Sequence, residues 1–245
     1  MTKSVKLIAL DMDGTLLNPA LEVSKRNKEA IQEALRQGIQ VVLSTGRGID
    51  TCYPYAEELK LQTFMITANG GQVWTMEKEL LQQKLLANET VEKLQQYTEE
   101  AGVHRWMIST EGVFQGDETV NIQDYQWLKF GCASEDLDRL QEVKDRLKEL
   151  EGLEITNSLP TNIEINPEGV SKANALSFLC DRTGISMEEI MAVGDSLNDL
   201  KMIQQVGVGV AMGNAQEKIK EAANAVTDSN LEDGVGKAIE KFALK

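Results

Sequence analysis

Residues 7–17, LIALDMDGTLL, set a four-residue apolar run directly against two aspartates, Asp11 and Asp13. The run has the length and composition of a buried strand. Side chains two apart on a strand share a face, with backbone positions about 6–7 Å apart. Two carboxylates held that close repel and raise each other's pKa unless a cation or a proton stands between them. A strand ending this way demands a partner, and the rest of the chain has to supply it.

The pattern after residue 17 says what kind of sheet the strand enters. Ser24 caps a helix whose Ala30, Ile31, Ala34 and Leu35 share one face, and Gly38 ends it. IQVVLSTGR (39–47) is a second buried strand broken by small polar residues. A helical stretch over about 50–59 leads to FMITANGG (64–71), a third strand running out into Asn69 and two glycines. This β-α-β-α-β order predicts a parallel sheet with helices on its faces.

From about residue 83 to 170 the texture changes. Helical stretches there, with Val91, Leu94, Tyr97 and Ala101 or Leu137, Leu140, Val143, Leu147 and Leu150 as apolar positions, carry more charge. Alternating segments such as HRWMIST (104–110) and NIEINP (162–167) suit a sheet with one face on helices. At Ser171 the first texture resumes: a helix over about 172–182 stopping at Gly184, then Ser186-x-x-Glu189 as a capping box. IMAVGDSLNDL (190–200) is a strand ending in Gly194-Asp195, VGVGVAMGN (206–214) is another, and a last strand lies near 225–227. The expected architecture is α/β: a Rossmann-like, doubly wound parallel core from residues 1–82 and 171–245, with residues 83–170 inserted as an α+β lid.

Composition narrows the function. A formal net charge of −14 over 245 residues argues against a phosphate-backbone binder, which needs a basic surface, so no nucleic-acid partner is expected. Cys52, Cys132 and Cys180 are far apart and without CxxC spacing, which argues against a disulfide framework or a zinc site. The first residues hold too short an apolar stretch for a signal peptide, and no window reaches transmembrane length. Asn88-Glu89-Thr90 therefore reads as an empty glycosylation match, no membrane partner is expected, and the expected compartment is the cytoplasm. Oligomeric state is left open.

Three strand ends carry the chemistry, because function in open α/β sheets sits at the carboxyl ends of strands. They are Asp11-Met-Asp13, Thr45-Gly-Arg47 and Asp195-Ser-Leu-Asn198-Asp199, with Lys172 opening the helix just upstream of the third. An all-oxygen set rich in carboxylates is what Mg²⁺ prefers. A carboxylate can also attack phosphorus and so split one displacement into two.

DxDGT, a strand ending in Ser/Thr, a lysine and then GDxxND, in that order, resemble the haloacid dehalogenase superfamily. STGR, NGG and GDSLNDLKM, with a large lid between the second motif and the lysine, are similar to its Cof-type (subclass IIB) sugar-phosphate phosphatases. The resemblance implies Asp11 as nucleophile and Asp13 as general acid, then base. It implies Thr45, with the amides of Gly46 and Met12, on the phosphoryl oxygens, and Lys172 neutralising charge on the phosphate and on Asp11. Mg²⁺ would be bound by Asp195, the Asp11 carboxylate and the Asp13 carbonyl. Asn198 resembles a phosphate contact, and Asp199 an orienter of Lys172 or of the metal's waters. Arg47 and Asn69, at strand ends on the same edge, either touch substrate or stitch loops together. The implied activity is Mg²⁺-dependent hydrolysis of small phosphorylated metabolites. A phosphomutase would share every core motif, and a quiet phosphometabolite-binding protein would keep them unused.

Competing motifs fail on their own terms. A calcium loop opening at Asp11 needs an oxygen ligand at its fifth position and glycine at its sixth, where Thr15 and Leu16 stand. The dinucleotide fingerprint suggested by residues 207–212 lacks its third glycine, since Met212 is there. No GxxxxGK[ST] occurs. His104 and Trp106, at the start of a lid strand, read as packing residues rather than selectors.

Overall fold

The computed structural model describes residues 4–116, 118 and 120–244. They divide into two compact units, Met1–Leu81 with Ser171–Lys245, and Gln82–Val170. The first unit opens with β1 (Leu7–Leu10), α1 (Lys25–Arg36), β2 (Gln40–Ser44), α2 (Ile49–Glu58), β3 (Phe64–Thr67), β4 (Gln72–Thr75) and β5 (Leu80–Gln83). The second contributes α3 (Asn88–Ala101), β6 (His104–Ser109), β7 (Val113–Gln115), β8 (Trp127–Ala133), α4 (Leu137–Leu147), β9 (Leu153–Thr156) and β10 (Asn162–Pro167). The chain then returns through α5 (Lys172–Thr183), β11 (Ile190–Gly194), α6 (Leu200–Gln205), β12 (Val208–Ala211), α7 (Glu217–Ala222), β13 (Ala225–Val226) and α8 (Gly234–Phe242).

In the first unit the strands order as β13-β12-β11-β1-β2-β3-β4-β5 among the described residues. From β13 to β3 every pairing is parallel, and β4 then turns back antiparallel to β3. β1 is central and buried along its whole length, and its alternation supplies both faces. Ile8 and Leu10 pack with Ala30, Ile31 and Ala34 of α1 and with Val235 and Ile239 of α8. Leu7 and Ala9 pack with Ala173, Leu176 and Leu179 of α5. Helices on both faces of a mainly parallel sheet make this the doubly wound α/β class. Among the described residues no helix is long and apolar enough to cross a membrane.

Local signals explain most boundaries. Ser24 accepts the Asn27 amide at 3.2 Å to start α1, Ser171 accepts that of Asn174 at 3.1 Å to start α5, and Gly184 at φ 71° ends α5. The Ser186–Glu189 capping box forms, but on a single 3₁₀ turn, Met187–Glu189, that runs straight into β11 rather than on a helix. The hairpin β4–β5 has no counterpart in the sequence expectation. Its two four-residue strands are only partly buried and polar at their ends, so they carry no clear period.

The second unit is a β7-β6-β8-β10-β9 sheet, antiparallel throughout. Ile163 and Ile165 of NIEINP join Met107, Phe130 and Cys132 against Val91 and Leu94 of α3 and Leu140 and Val143 of α4. The alternate residue Glu164 pairs with Lys129 at 2.9 Å, a buried ion pair that the sequence pattern does not announce. His104 is exposed at the start of β6, and the ring of Trp106 lies on the bare backbone of Gly131 across the ladder.

Asn27, fully buried on α1, accepts the Gly236 amide of α8 at 2.7 Å. Asn27→Ala would leave that donor unsatisfied, an expected loss of about 1–3 kcal/mol. A urea midpoint unchanged from wild type would contradict this tie between the two ends of the first unit.

Candidate active site

The register of the central strands assembles the site. Leu10 is level with Val193 of β11 and with Leu43 of β2, so the chains emerging from all three strands leave the sheet side by side. Asp11 still donates its amide to Val193 at 3.0 Å, and Thr45 donates its own to Ile66 at 2.9 Å. Both side chains are therefore held by sheet hydrogen bonding rather than by loops, and both are buried.

Lys172, the first residue of α5, is fully buried and reaches two carboxylates. Its Nζ donates to Asp11 Oδ1 at 2.6 Å and to Asp199 Oδ1 at 2.7 Å. The other oxygen of Asp199 accepts the amides of Asp195 at 3.0 Å and Ser196 at 3.2 Å, so Asp199 is committed on both sides. Asp195 Oδ1 accepts from the Thr15 hydroxyl at 3.2 Å. Asp11 Oδ2 is buried with no hydrogen-bond partner.

Oxygens of Asp11, Asp195 and Asp199 lie within 4.8 Å of one another, a cluster able to hold a metal ion. Such a donor set, all oxygen and mostly anionic, suits a hard divalent cation. The buried Asp11 Oδ2 is left without the electropositive partner that a buried carboxylate oxygen needs. Burial pushes the Asp11 carboxyl up to about 7, opposed by Lys172 and helped by Asp199 and Asp13. Burial pushes Asp195 up to about 9, with Asp11 and Asp199 adding to it. Burial opposes the charge on Lys172 too, but Asp11 and Asp199 outweigh it and hold its pKa above the ordinary lysine value.

Two glycines make this proximity possible. A Cβ on Gly14, at φ 80°, would stand 2.5 Å from Asp195 Oδ2. A Cβ on Gly194 would stand 2.4 Å from the Asp199 carboxyl carbon. Any other residue at either place would push a carboxylate out of the cluster.

The remaining predicted residues fall nearby in different ways. Arg47 grips Asp13, Nε to Oδ2 at 2.8 Å and Nη2 to Oδ1 at 2.5 Å. Met12 is buried in the core, and its carbonyl accepts the amides of Thr15 and Leu17. Gly46 lies in the turn between Thr45 and Arg47. Asn198 accepts from the Ser196 hydroxyl at 2.9 Å and donates to Asn69 Oδ1 at 3.4 Å. Asn69 itself sits in a left-handed turn, with φ 49° at Ala68, 58° at Asn69 and 98° at Gly70, and its amide reaches the Thr45 carbonyl at 2.9 Å. Thr15 has no role in the sequence reading, although it stands inside the DMDGT run. Its hydroxyl is common in turns, and only the fold brings Asp195 to it.

The family model for haloacid dehalogenase-like hydrolases matches residues 8–130 and 114–239. The chain belongs to the haloacid dehalogenase-like hydrolases. It is 47% identical over 240 residues to the 5-amino-6-(5-phospho-D-ribitylamino)uracil phosphatase YcsE of Bacillus subtilis, covering 98% of this chain and 96% of the relative. It is 30% identical to the phosphatase YwpJ of the same organism, over 94% of this chain and 97% of that one. Among solved structures, a haloacid dehalogenase-like hydrolase from B. subtilis superposes with a TM-score of 0.88 at 28% identity, covering 97% of this chain and 99% of that one. A subclass IIB sugar phosphatase, at 24% identity and a TM-score of 0.86, shares the fold. This haloacid dehalogenase-like hydrolase is an enzyme, a phosphatase.

Metal binding needs the carboxylates ionised, and burial holds those of Asp11 and Asp195 partly protonated near neutrality. Binding of a divalent cation is therefore expected to release protons and to tighten as pH rises through about 7 to 9. Calorimetric titration in buffers of different ionisation enthalpy measures the protons directly. Affinity that does not change over this range, with no proton release, would contradict the burial argument.

Proposed function

We propose that this phosphatase hydrolyses small phosphomonoesters in two steps through an aspartyl-phosphate on Asp11, with Mg²⁺ as its metal. The observation that carries the reading is the split use of one buried carboxylate. Asp11 Oδ1 is pinned by Lys172 at 2.6 Å, while Oδ2 is left without a partner. A nucleophile needs that combination, one oxygen that fixes the geometry and one that can attack.

In the first step Asp11 attacks phosphorus, and the bond to the leaving oxygen breaks with its electron pair on that oxygen. Asp13 supplies the proton that the departing alkoxide needs. In the second step Asp13 takes a proton from water as the water oxygen attacks phosphorus, which frees phosphate and restores the Asp11 carboxylate. Thr45, with the amides of Gly46 and Met12, holds the phosphoryl oxygens, and Asn198 adds a contact. Lys172 offsets the repulsion between anionic substrate and anionic nucleophile, about 4 kcal/mol for two unit charges at about 4 Å and an effective dielectric of about 20. Asp11, Asp195 and the Asp13 carbonyl would hold Mg²⁺, which when bound supplies positive charge at the phosphoryl oxygens. Asp199, spent on Lys172 and two amides, acts as the orienter of the lysine.

The leading candidate substrate is 5-amino-6-(5-phospho-D-ribitylamino)uracil. The 47% identical relative carries that activity in its name, as do two further B. subtilis relatives at 31% and 29% identity. A pyridoxal phosphate phosphatase of Escherichia coli, at 29%, gives the next compound to test. Choice among leaving groups is assigned to the inserted unit, residues 82–170.

Phosphate release from these two compounds, sugar phosphates, flavin mononucleotide and p-nitrophenyl phosphate tests the reading, with Mg²⁺ and with EDTA. Metal-dependent release is expected, falling to background in Asp11→Asn, with circular dichroism confirming that the variant is folded. Release by Asp11→Asn at the wild-type rate would sink the aspartyl-phosphate, and transfer of phosphate within a sugar phosphate without release would mark a mutase.

A further inference from the structure

Arg47 follows Thr45 and Gly46, at the point where a phosphate contact or a loop tie would be equally natural. The structure makes it a tie, with Asp13 as its partner. Both of its prongs go to Asp13, Nε to Oδ2 at 2.8 Å and Nη2 to Oδ1 at 2.5 Å. A bidentate arginine–carboxylate pair is planar and directional, so it restricts the carboxylate to one orientation.

Arg47 is itself fixed from several sides. Its amide donates to Thr45 Oγ1 at 3.1 Å, and its carbonyl accepts from the Ala68 amide at 2.8 Å. Its guanidinium carbon lies 5.5 Å from the centre of the Tyr55 ring, on α2. The Tyr55 hydroxyl in turn donates to the Leu21 carbonyl at 2.9 Å, in the loop that follows Asp13. The arginine thus connects the strand end that bears Thr45 to the strand end that bears Asp13. Half of the Asp13 side chain is exposed, and such a side chain would otherwise sample several rotamers.

We propose that Arg47 is a positioning residue for Asp13, setting the orientation in which that carboxyl exchanges its proton with the leaving oxygen. The inference rests on the two-step reading above. Releasing one prong frees one Asp13 oxygen to carry the proton, and the other prong keeps the side chain in place. The proton passes from that oxygen to the leaving oxygen as its bond to phosphorus breaks. In the second step the same oxygen takes a proton from the attacking water. A lysine, with one compact ammonium group, could replace the charge but not the two-pronged geometry.

Leaving groups of different basicity separate this role from its competitors. p-Nitrophenolate departs without a proton, whereas a sugar or ribityl alkoxide needs one. The quantity to read is kcat/KM, which reports the steps through the first bond cleavage, for the best alkyl phosphate of the panel and for p-nitrophenyl phosphate. For Arg47→Ala the alkyl substrate is expected to lose roughly 100-fold and the aryl substrate less than about 10-fold, as for a displaced general acid. Arg47→Lys, which also guards against misfolding, should recover only part of the alkyl rate. Added to Asp13→Ala, the arginine change should cost little more. An equal loss on both substrates, with a raised KM, would overturn the proposal in favour of a phosphate contact. Wild-type kinetics in Arg47→Ala would overturn it as an idle surface pair. Either result leaves the Asp11 reading standing, whereas a wild type that releases no phosphate from any compound overturns both.

Discussion

Lys172 stands fully buried between Asp11 and Asp199, at 2.6 and 2.7 Å, and the layout of the candidate site follows from that one contact. A buried ammonium is tolerable only when it is paired and fully hydrogen-bonded. The pairing brings together the end of β1, the start of α5 and the turn after β11, segments 161 and 27 residues apart. It also fixes where the chain re-enters the first unit, since Ser171, the cap of α5, is the first residue after the inserted unit.

One lysine does not balance three carboxylates. Hydrogen-bond accounting shows where the surplus lies. Asp199 is committed at both oxygens, to Lys172 and to two backbone amides, and behaves as part of the scaffold. Asp195 has the Thr15 hydroxyl, and Asp11 has one oxygen with nothing at all. The unmet need for positive charge is thus concentrated on the two groups beside the mouth of β1 and β11, which is where a cation and a phosphoryl group would be opposed in charge and useful to each other. Gly14 and Gly194 let the carboxylates come this close, by removing the side chain atoms that would otherwise occupy the space.

Much of this was legible in the order of residues. The strand–helix alternation, the cap at Ser24 and the stop at Gly184 all follow from local chemistry. A four-residue run such as 7–10 announces a buried strand, and polar residues after it announce a functional end. The β4–β5 hairpin was not legible, because partly buried four-residue strands at a sheet edge lack both alternation and a long apolar run. Neither was the Lys129–Glu164 pair, since charged residues within strands look solvent-facing until a fold encloses them.

By itself the sequence determined which chemical groups stand at the ends of which strands, because strand identity and strand breaks are encoded within a few neighbouring residues. It named Asp11, Asp13, Thr45, Lys172, Asp195 and Asp199 as one set, with the roles that the resemblance implies, but not which oxygen of each meets which partner. Those partners were decided by tertiary structure alone: Lys172 takes one oxygen of Asp11 and leaves the other, Asp199 joins Lys172 to two backbone amides, the Thr15 hydroxyl meets Asp195, and Arg47 faces Asp13. These contacts join residues up to 180 apart, and their geometry depends on strand register and side-chain packing across the whole sheet. No local pattern in the chain contains that register, so only the folded molecule could assign each oxygen its partner.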